Sequence, residues 1–224
     1  MIRVFVGYDP REAVAYHVLS HSILSRSSQP VQIAPLALDN LRGILTREKH
    51  PLQSTDFSFS RFLVPYLSDY AGWSLFCDCD MLMLEDIANL WALRDERFAV
   101  QVVKHDHKPS ENVKFLDKPQ SKYEKKNWSS VILFNNIKCR ALTPAYVNTA
   151  TGLELHQFKW LANDDLIGGI TARWNHLVDY DPGLPAAQLS FLHYTEGGPY
   201  FEAYKNCGYA DLWFEERNRM THAG

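Results

Sequence analysis

The sequence lacks the features that mark membrane, secreted and general nucleic-acid-binding proteins. No segment approaches the roughly 20 apolar residues that span a bilayer, and the apolar run in residues 1–7 is too short for a signal peptide. A net charge of −3 argues against a general nucleic-acid binder. The four cysteines include no Cys-x-x-Cys pair, and Cys77 and Cys79 are too close for an ordinary disulfide in a strand. These absences predict a reduced, cytoplasmic protein without a transmembrane segment.

The composition and the opening pattern predict an α/β protein. The chain has 224 residues, of which 46% are hydrophobic and 22% charged, as in an ordinary globular domain. The run at residues 2–7, which is apolar except for Arg3, predicts a buried strand. The patterns at residues 11–26 and 31–38 predict a helix and a second strand. This order is typical of the first half of a nucleotide-binding sheet. Because no repeat or boundary is visible, we interpret residues 1–224 as one domain.

The end of the first predicted strand is a candidate ligand site. Gly7, Tyr8 and Asp9 follow that strand, and ligands of such sheets bind beyond the carboxyl ends of the strands. Asp9 also precedes Pro10, which is the arrangement of a helix cap followed by proline at the first helical position. The sequence leaves both roles of Asp9 open.

Residues 73–84 hold the central motif, in which two carboxylates follow an apolar run. In extended backbone, Asp78 and Asp80 project from one face, while Cys77 and Cys79 project from the other. Two carboxylates at the rim of a core repel each other and lose hydration unless a cation or strong donors neutralise them. Such oxygen ligands suit Mg²⁺ or Mn²⁺, which bridge to substrate phosphates. We interpret the pair as a metal site, and the alternative is a strand end with two solvated acids.

Residues 104–127 form a long polar segment that contains seven lysines and four acidic residues. A segment of this length without an apolar pattern is usually functional or mobile inside a compact domain. We predict a flexible flap near an anionic substrate, with Lys104 as a candidate ligand. The alternative is a solvated, lysine-rich loop.

Other polar positions lie at the ends of predicted elements. Arg61 lies off the apolar face of a helical segment, where it is either a surface arginine or a bidentate partner of a carboxylate or phosphate. Asn135 and Asn136 follow a predicted strand at 128–134, where they either bind sugar hydroxyls or form an Asx turn. His193 ends a late predicted strand, and a lone histidine is more often a packed group than a ligand.

Six segments occur in a familiar order, and the chain resembles the metal-dependent GT-A glycosyltransferases over nearly its whole length. It is similar in particular to the glycogenin-like and bacterial galactosyltransferase-like enzymes of glycosyltransferase family 8. The segments are Gly7-Tyr8-Asp9, Ser60-Arg61-Phe62-Leu63, Phe76-Cys77-Asp78-Cys79-Asp80, Phe134-Asn135-Asn136, Asn163-Asp164-Asp165 with the downstream Arg173-Trp174-Asn175, and His193. The resemblance implies an α/β fold of GT-A type: a nucleotide-binding, Rossmann-like mixed central sheet flanked by helices in a single domain.

The resemblance also implies an activity, namely transfer of a hexose from a nucleoside diphosphate sugar, expected to be a UDP-sugar. It implies retention of configuration, through either a front-face route or a covalent carboxylate intermediate. The acceptor is a hydroxyl of an unidentified sugar, lipid or protein. Asp78, Asp80 and His193 are implied to hold Mn²⁺ or Mg²⁺ against the diphosphate. The other implied contacts are Gly7, Tyr8 and Asp9 with the base and ribose, Arg61 and Asp78 with the diphosphate, and Asn135, Asn136, Asp164 and Asp165 with the sugar.

Two departures from the family pattern affect these expectations. Gly198-Pro199-Tyr200 stands where the family has Lys-Pro-Trp, so the diphosphate-contacting lysine is absent. We expect a backbone N–H near Gly198, or a flap lysine such as Lys104, to replace it. Asp164 occupies the place of the family's central glutamine, which makes a covalent carboxylate intermediate conceivable.

Two other functional classes stay open from the sequence. Haloacid-dehalogenase-like phosphatases also place Asp-x-Asp after an apolar strand, but their motif usually stands near the N-terminus. The later Gly-Asp-Gly-x-x-x-Asp pattern of those enzymes is missing here. The third hypothesis is a nucleotide-sugar-binding protein that has lost catalysis, which the missing lysine favours.

Overall fold

A computed structural model describes residues 1–48, 53, 55–105, 113–114, 118–119 and 125–222. Most of the predicted lysine-rich flap therefore lies outside the described residues. The described strands are β1 (Ile2–Gly7), β2 (Val31–Leu36), β3 (Trp73–Cys77), β4 (Met81–Met83), β5 (Val100–Val103), β6 (Val113–Lys114), β7 (Lys118–Pro119), β8 (Val131–Asn135), β9 (Ile167–Ile170), β10 (His176–Leu177) and β11 (Phe191–His193). The described α-helices are α1 (Ala13–Arg26), α2 (Val64–Leu67), α3 (Ile87–Ala92), α4 (Pro144–Thr149), α5 (Gly152–His156) and α6 (Ala210–Thr221).

The predicted β–α–β opening is confirmed. Strand β1 is buried along most of its length and pairs in parallel with β2, with Ile2 opposite Val31. Between them, α1 buries Val18, Leu19 and Ile23 on one side, at the spacing of a single helical face. The strand is apolar along most of its length and can be buried inside the sheet. The helix has one apolar face and packs that face against the sheet.

The central sheet is mixed, and its one reversed strand determines which polar residues meet. The six strands lie in the order β2-β1-β3-β8-β5-β9. Strand β8 is antiparallel to both β3 and β5, whereas the other neighbouring pairs are parallel. Residues that precede β8 therefore lie at the same edge of the sheet as residues that follow β3.

A smaller sheet brings a distant part of the chain to the end of β3. Strand β4 continues the chain directly after Asp80 and pairs antiparallel with β11, so that Met81 lies opposite His193. The backbone N–H of Tyr194 donates to the carbonyl of Asp80 at 2.9 Å. This pairing places His193 beside the two aspartates, although more than a hundred residues separate them in sequence.

Several predicted boundaries differ from the observed ones because short helical turns begin or replace the strands. Residues 128–134 were expected to be strand, but Trp128–Ser130 forms a 3₁₀ turn before β8. Strand β10 has two residues and likewise follows a 3₁₀ turn, at Ala172–Trp174. Among the described residues, all four cysteines are free thiols, and no helix is long and apolar enough to cross a membrane.

Candidate metal and sugar site

Asp78 and Asp80 lie just beyond the carboxyl end of β3, as the alternating pattern predicted. The backbone N–H of Asp78 donates to the carbonyl of Ser130 at 3.0 Å, which holds the start of this turn against the beginning of β8. One ligand atom from each of Asp78, Asp80 and His193 lies within 4.8 Å of the others. The structure therefore brings together the three side chains that were predicted as metal ligands.

The orientation of His193 follows from a chain of hydrogen bonds. Nδ2 of Asn175 donates to the carbonyl of Asn127 at 3.3 Å, so that Oδ1 of Asn175 faces the imidazole. Nδ1 of His193 lies 2.9 Å from that oxygen and must therefore be the donor. Nε2 then faces the carboxylates, at 3.5 Å from Asp80 and 3.9 Å from Asp78. Metal-binding histidines commonly have their other nitrogen held in this way.

Arg61 is a buried partner of the acidic pair and not a surface residue. Its Nη1 lies 2.9 Å from Oδ1 of Asp78 and donates to the carbonyl of Ser129 at 2.8 Å. Nε donates to the carbonyl of Phe57 at 3.3 Å. The guanidinium also lies 4.9 Å from the ring centre of Phe76. Its position is thus fixed from several sides, and its charge compensates one of the two aspartates.

The remaining electrostatics of the pair favour a bound cation. The pKa of Asp78 is raised to about 6: burial is the largest cause and the charge of Asp80 adds to it, while Arg61 and His193 oppose the shift. Oδ1 of Asp80 is buried and makes no hydrogen bond within the described part of the chain. Unpaired buried carboxylate oxygens are costly, and a divalent cation between these ligands would remove the cost. The donor set of two carboxylates and one neutral imidazole therefore fits a divalent metal ion.

A polar cavity of about 120 Å³ opens beside these ligands. Most of its wall carries hydroxyl, amide or imidazole groups, which can bond to the hydroxyls of a sugar. The lining residues are Thr55, Ser58, Arg61, Asp78, Asp80, Asn127, Ser129, Ser130, His156, His193 and Thr195. Local sequence patterns do not identify Asn127, Ser129, Ser130 or His156 as site residues. Their positions depend on the reversed direction of β8 and on the packing of α5.

The residues after β1 have structural roles that account for their identities. Asp9 is buried and accepts hydrogen bonds from the backbone N–H groups of Arg11 at 3.0 Å and Asp56 at 3.1 Å, so the helix-cap alternative is confirmed. A methyl group on Gly7 would overlap the ring of Phe57, which explains the glycine. Tyr8 is half-buried, with its ring in edge-to-face contact with Tyr16. A nucleotide contact for Gly7, Tyr8 or Asp9 stays a prediction.

Asn135 and Asn136 lie at the other edge of the sheet, away from the acidic pair. Because β8 is antiparallel to β3, Asn135 lies opposite Trp73, whereas Val131 lies opposite Cys77. Four residues of strand separate those positions by about 13 Å. Asn135 donates to Glu96 at 2.8 Å, and Asn136 donates to the carbonyl of Ala71 at 3.0 Å. The expected sugar contacts of these asparagines do not fit this register, because it places them at the edge of the sheet opposite the acidic pair.

Asp164 and Asp165 precede β9 in a 3₁₀ turn, and both are exposed. Neither is among the residues that line the cavity. Oδ1 of Asp164 lies 2.5 Å from Nζ of Lys125, and this bond lowers the pKa of the Asp164 carboxyl. Lys104 is also exposed, and its Nζ lies 5.7 Å from the ring centre of Trp128. The catalytic and phosphate-binding roles of these residues stay predictions.

The loop after β11 contains an arrangement that the sequence did not reveal. Gly198 is buried under the ring of Tyr200, which would overlap a methyl group at that position. The hydroxyl of Tyr200 donates to Oε2 of Glu12 at 2.5 Å. Burial raises the pKa of Glu12 to about 8, and repulsion from Asp80 contributes. Glu12 therefore places a third carboxyl group near the predicted metal ligands. Its role is visible only in the tertiary structure, through the hydrogen bond from Tyr200.

We expect Glu12→Gln to change how the stability of the metal-free protein depends on pH. Because the folded-state pKa is raised above the ordinary value of 4.5, the folded protein keeps a proton that the unfolded chain has released. The wild type therefore loses stability as pH rises from about 4.5 to 8, by on the order of 4 kcal/mol. Glutamine keeps an oxygen for Tyr200 and does not ionise. Chemical denaturation in EDTA should give similar free energies of unfolding at pH 5 and a more stable variant at pH 8.5.

Glu216→Gln is a matched control, because Glu216 is also buried but is paired with cations. Although burial raises the pKa of Glu216, hydrogen bonds from Arg26 and His21 lower it below the ordinary value. This substitution should therefore destabilise the protein at pH 8.5. Equal pH dependence of wild type and Glu12→Gln would contradict the role assigned to Glu12.

Comparison with known proteins identifies the fold and the family. No protein-family model matches the chain. The structure resembles the bifunctional glycosyltransferase WbbM, with a TM-score of 0.59, 16% identity and coverage of 96% of this chain; the chain spans 49% of WbbM. It also resembles the galactosyltransferase LgtC, whose structure holds donor and acceptor sugar analogs. For LgtC the TM-score is 0.62 and the identity 12%, with coverage of 98% of this chain and 96% of LgtC.

At these identities the structural likeness shows the fold alone, which is the GT-A fold expected from the sequence. A curated relative shows the family directly. Protein CDI from Arabidopsis thaliana is 49% identical over 221 residues, which cover 96% of this chain and 85% of that protein. The chain therefore belongs to the family of Protein CDI and has the α/β fold of the GT-A glycosyltransferases.

Proposed function

We propose that the protein is a metal-dependent glycosyltransferase that transfers a hexose from a nucleoside diphosphate sugar, specifically a UDP-sugar, to an acceptor hydroxyl. The observation that carries the proposal is the convergence of Asp78, Asp80 and His193 beside a hydroxyl-lined cavity. The GT-A fold supports it, because each of the compared structures of that fold is a glycosyltransferase.

Asp78, Asp80 and His193 would hold the metal ion. Mg²⁺ and Mn²⁺ both accept carboxylates, but a nitrogen ligand is more usual for transition metals, so the donor set favours Mn²⁺. When bound, the ion supplies a Lewis acid that stabilises negative charge on the diphosphate leaving group. Asn175 accepts from Nδ1 of His193 and so directs Nε2 at the carboxylates, and Arg61 fixes the position of Asp78.

The side chains around the cavity would bind and orient the sugar. Ser58, Ser129 and Ser130 line it together with Asn127. Hydroxyl and amide groups can both donate and accept hydrogen bonds. They therefore suit sugar hydroxyls, which also do both. If these contacts hold the sugar in a fixed orientation relative to the diphosphate, they increase the rate of transfer.

The finer parts of the mechanism are proposed from the sequence resemblance. Gly7 and Tyr8 would contact the base and ribose, and Lys104 or a backbone N–H near Gly198 the diphosphate. The transfer would retain configuration, with Asp164 or Asp165 as the catalytic carboxylate. Asp164 is ionised near neutral pH because Lys125 lowers its pKa, as a nucleophile requires. Full transfer activity in Asp164→Asn would exclude that residue as nucleophile.

The donor and the acceptor are also proposed from the sequence resemblance. The donor is a nucleoside diphosphate hexose, and the acceptor is a sugar, lipid or protein that carries a hydroxyl group. The LgtC structure, which holds both donor and acceptor sugar analogs, supports a two-substrate reaction on this fold. A cytoplasmic location stays a prediction from the free thiols.

Calorimetric titration of UDP into the protein, with and without Mn²⁺, tests the proposal. We expect binding that requires the metal, followed by metal-dependent release of UDP from one member of a set of UDP-sugars. If UDP does not bind, GDP and other nucleoside diphosphates are titrated, and failure of all of them contradicts the proposal. Hydrolysis of a phosphate ester in the absence of a sugar donor would favour the phosphatase. Metal-dependent donor binding without any turnover would favour the binding protein.

A further inference from the structure

A group of exposed residues lies at the edge of the central sheet that is opposite the metal site. Strands β1, β2, β3, β5 and β9 all begin at this edge, whereas Asp78 follows the other end of β3. The residues that lead into β3 and those that follow β8 meet there. We call seven of these residues the strand-start patch, and none of them lines the cavity. They are Arg3, Tyr66, Asp69, Tyr70, Ile137, Lys138 and Arg140.

Hydrogen bonds join two turns within the patch. Nη1 of Arg3 and Nδ2 of Asn136 both donate to the carbonyl of Ala71, at 3.4 Å and 3.0 Å. Ile137 directly follows Asn136 in a 3₁₀ turn, and its side chain is 57% exposed. Among the described residues, only Met1 has a more exposed large apolar side chain. The fold therefore holds an isoleucine at a firmly anchored turn without burying it.

Aromatic side chains extend the patch beside this turn. Tyr70 directly precedes Ala71, and its ring centre lies 6.2 Å from that of Tyr66, which is 37% exposed. The guanidinium of Arg140 lies 5.4 Å from the ring centre of Tyr70. Tyrosine is enriched at membrane–water interfaces because it combines an apolar ring with a polar hydroxyl. The patch thus places apolar and aromatic groups among cations.

The patch is positively charged, although the whole chain is negatively charged. Arg3, Lys138 and Arg140 carry three positive charges and Asp69 carries one negative charge, which gives the patch a net charge of +2. The net charge of the whole chain is −3. The negative charge is therefore carried elsewhere, and the patch presents the sign that a negatively charged surface attracts.

Glu96 is an acidic neighbour of the patch, since Nζ of Lys138 donates to its backbone carbonyl. Its carboxylate accepts from Nε1 of Trp73 at 2.7 Å and from Nδ2 of Asn135 at 2.8 Å. These hydrogen bonds, together with the charges of Lys138 and Arg94, lower the pKa of Glu96. Its negative charge is therefore opposed by Arg94, and counting both residues leaves the net charge of the patch at +2.

We propose that the strand-start patch docks the protein onto an anionic lipid bilayer. The cations would lie against the lipid headgroups, and Ile137 would enter the boundary between headgroups and acyl chains. A second copy of the chain suits the patch less well, because a symmetric contact would bring the same cations together. A docked molecule would keep the metal site away from the bilayer, since the two lie at opposite ends of β3. This inference goes beyond the proposed function and does not depend on it.

Sedimentation with lipid vesicles tests the proposal. Vesicles of phosphatidylcholine alone are compared with vesicles that also contain phosphatidylserine, at low and high ionic strength. We expect the wild type to bind only the phosphatidylserine vesicles, and more weakly at high ionic strength. Arg140→Gln should weaken binding about fivefold, the effect of one cation near the surface. Ile137→Asp should weaken it about tenfold, since it removes an inserted apolar group and adds a negative charge.

Two substitutions outside the patch are matched controls. Leu153→Asp makes the same change of charge as Ile137→Asp at a side chain that is 54% exposed on α5. Arg42→Gln removes an exposed arginine, as Arg140→Gln does. Both controls should bind vesicles as the wild type does. Equal losses in the controls and in the patch variants would reflect net charge alone, and they would overturn the proposal.

Other outcomes are equally decisive. Failure of the wild type to bind phosphatidylserine vesicles overturns the proposal. Wild-type binding by Ile137→Asp also overturns it, because the attraction would then be that of any polyanion, such as an acidic protein. Should Ile137→Asp not fold, equal binding by Arg140→Gln and Arg42→Gln has the same consequence. Titration of UDP with Mn²⁺ in the absence of vesicles bears on the proposed function alone, and the patch variants should bind UDP as the wild type does.

Discussion

Asp80→Asn is expected to lower metal-dependent glycosyl transfer by about 1,000-fold, which corresponds to about 4 kcal/mol of transition-state stabilisation. Oδ1 of Asp80 is a buried oxygen that makes no hydrogen bond among the described residues, and it lies 3.5 Å from Nε2 of His193. Asparagine has almost the same shape but lacks the charge that a divalent cation requires. The measurement is the rate of UDP release from the UDP-sugar donor at saturating Mn²⁺.

The same substitution should have the opposite effect on the stability of the metal-free protein. Asp80 repels Asp78 and Glu12, and it contributes to the raised pKa of both groups. Removing its charge should therefore raise the midpoint of thermal unfolding in EDTA at pH 8. Loss of activity together with a gain in stability would separate a ligand role from damage to the fold.

Asp39→Asn is the control, since the side chain of Asp39 is 83% exposed and pairs with the exposed Arg42. It should leave transfer and unfolding unchanged. Transfer by Asp80→Asn within tenfold of the wild-type rate would contradict the assignment of Asp80 as a metal ligand.

Arg61→Ala is expected to destabilise the protein by about 3–5 kcal/mol, because it leaves the buried carboxylate of Asp78 without its partner. The guanidinium of Arg61 is 2.9 Å from Asp78, and the side chains are 6% and 10% exposed. Two carbonyl groups, those of Phe57 and Ser129, also lose a donor. The free energy of unfolding is measured by chemical denaturation in EDTA at pH 8, which is above the pKa of about 6 that Asp78 has beside Arg61 in the wild type.

Lowering the pH should reduce the loss of stability that Arg61→Ala causes. In the variant Asp78 has lost the charge that lowers its pKa, so it takes up a proton at a higher pH than in the wild type, and a neutral carboxyl group no longer needs a cationic partner. Mn²⁺ should restore part of the stability at pH 8, since it binds the folded state and compensates the same charge. Arg42→Ala, which removes an exposed pair, should cost less than about 1 kcal/mol. A loss of similar size in both variants would contradict the buried-pair assignment.

Local periodicity in the sequence was sufficient for the opening unit and for the acidic pair. Residues 2–7 are apolar except for Arg3, and they form a strand that is buried in the sheet along most of its length. Alternation of side chains in extended backbone placed Asp78 and Asp80 together, and Cys77 and Cys79 are buried in the core. These features were predictable because they depend on residues that are neighbours in the chain.

Strand direction was the feature that local patterns could not determine. A strand has the same alternation whether it runs parallel or antiparallel to its neighbour. Asn135 was therefore expected at the ligand edge because it follows a strand, and the reversed direction of β8 instead places Ser129 and Ser130 there. The polar residues that lie beside the candidate metal site therefore precede β8 and do not follow it.

The sequence by itself determined the α/β class, the β–α–β opening, the resemblance to GT-A glycosyltransferases, and the placement of Asp78 and Asp80 on one face. Only the tertiary structure decided that Arg61 is buried against Asp78, that Asn175 orients His193, and that Tyr200 bonds to Glu12. The physical reason is the range of the interactions. Periodicity and capping act over a few residues, whereas the charges and hydrogen bonds of the site join segments that only sheet pairing brings within contact distance.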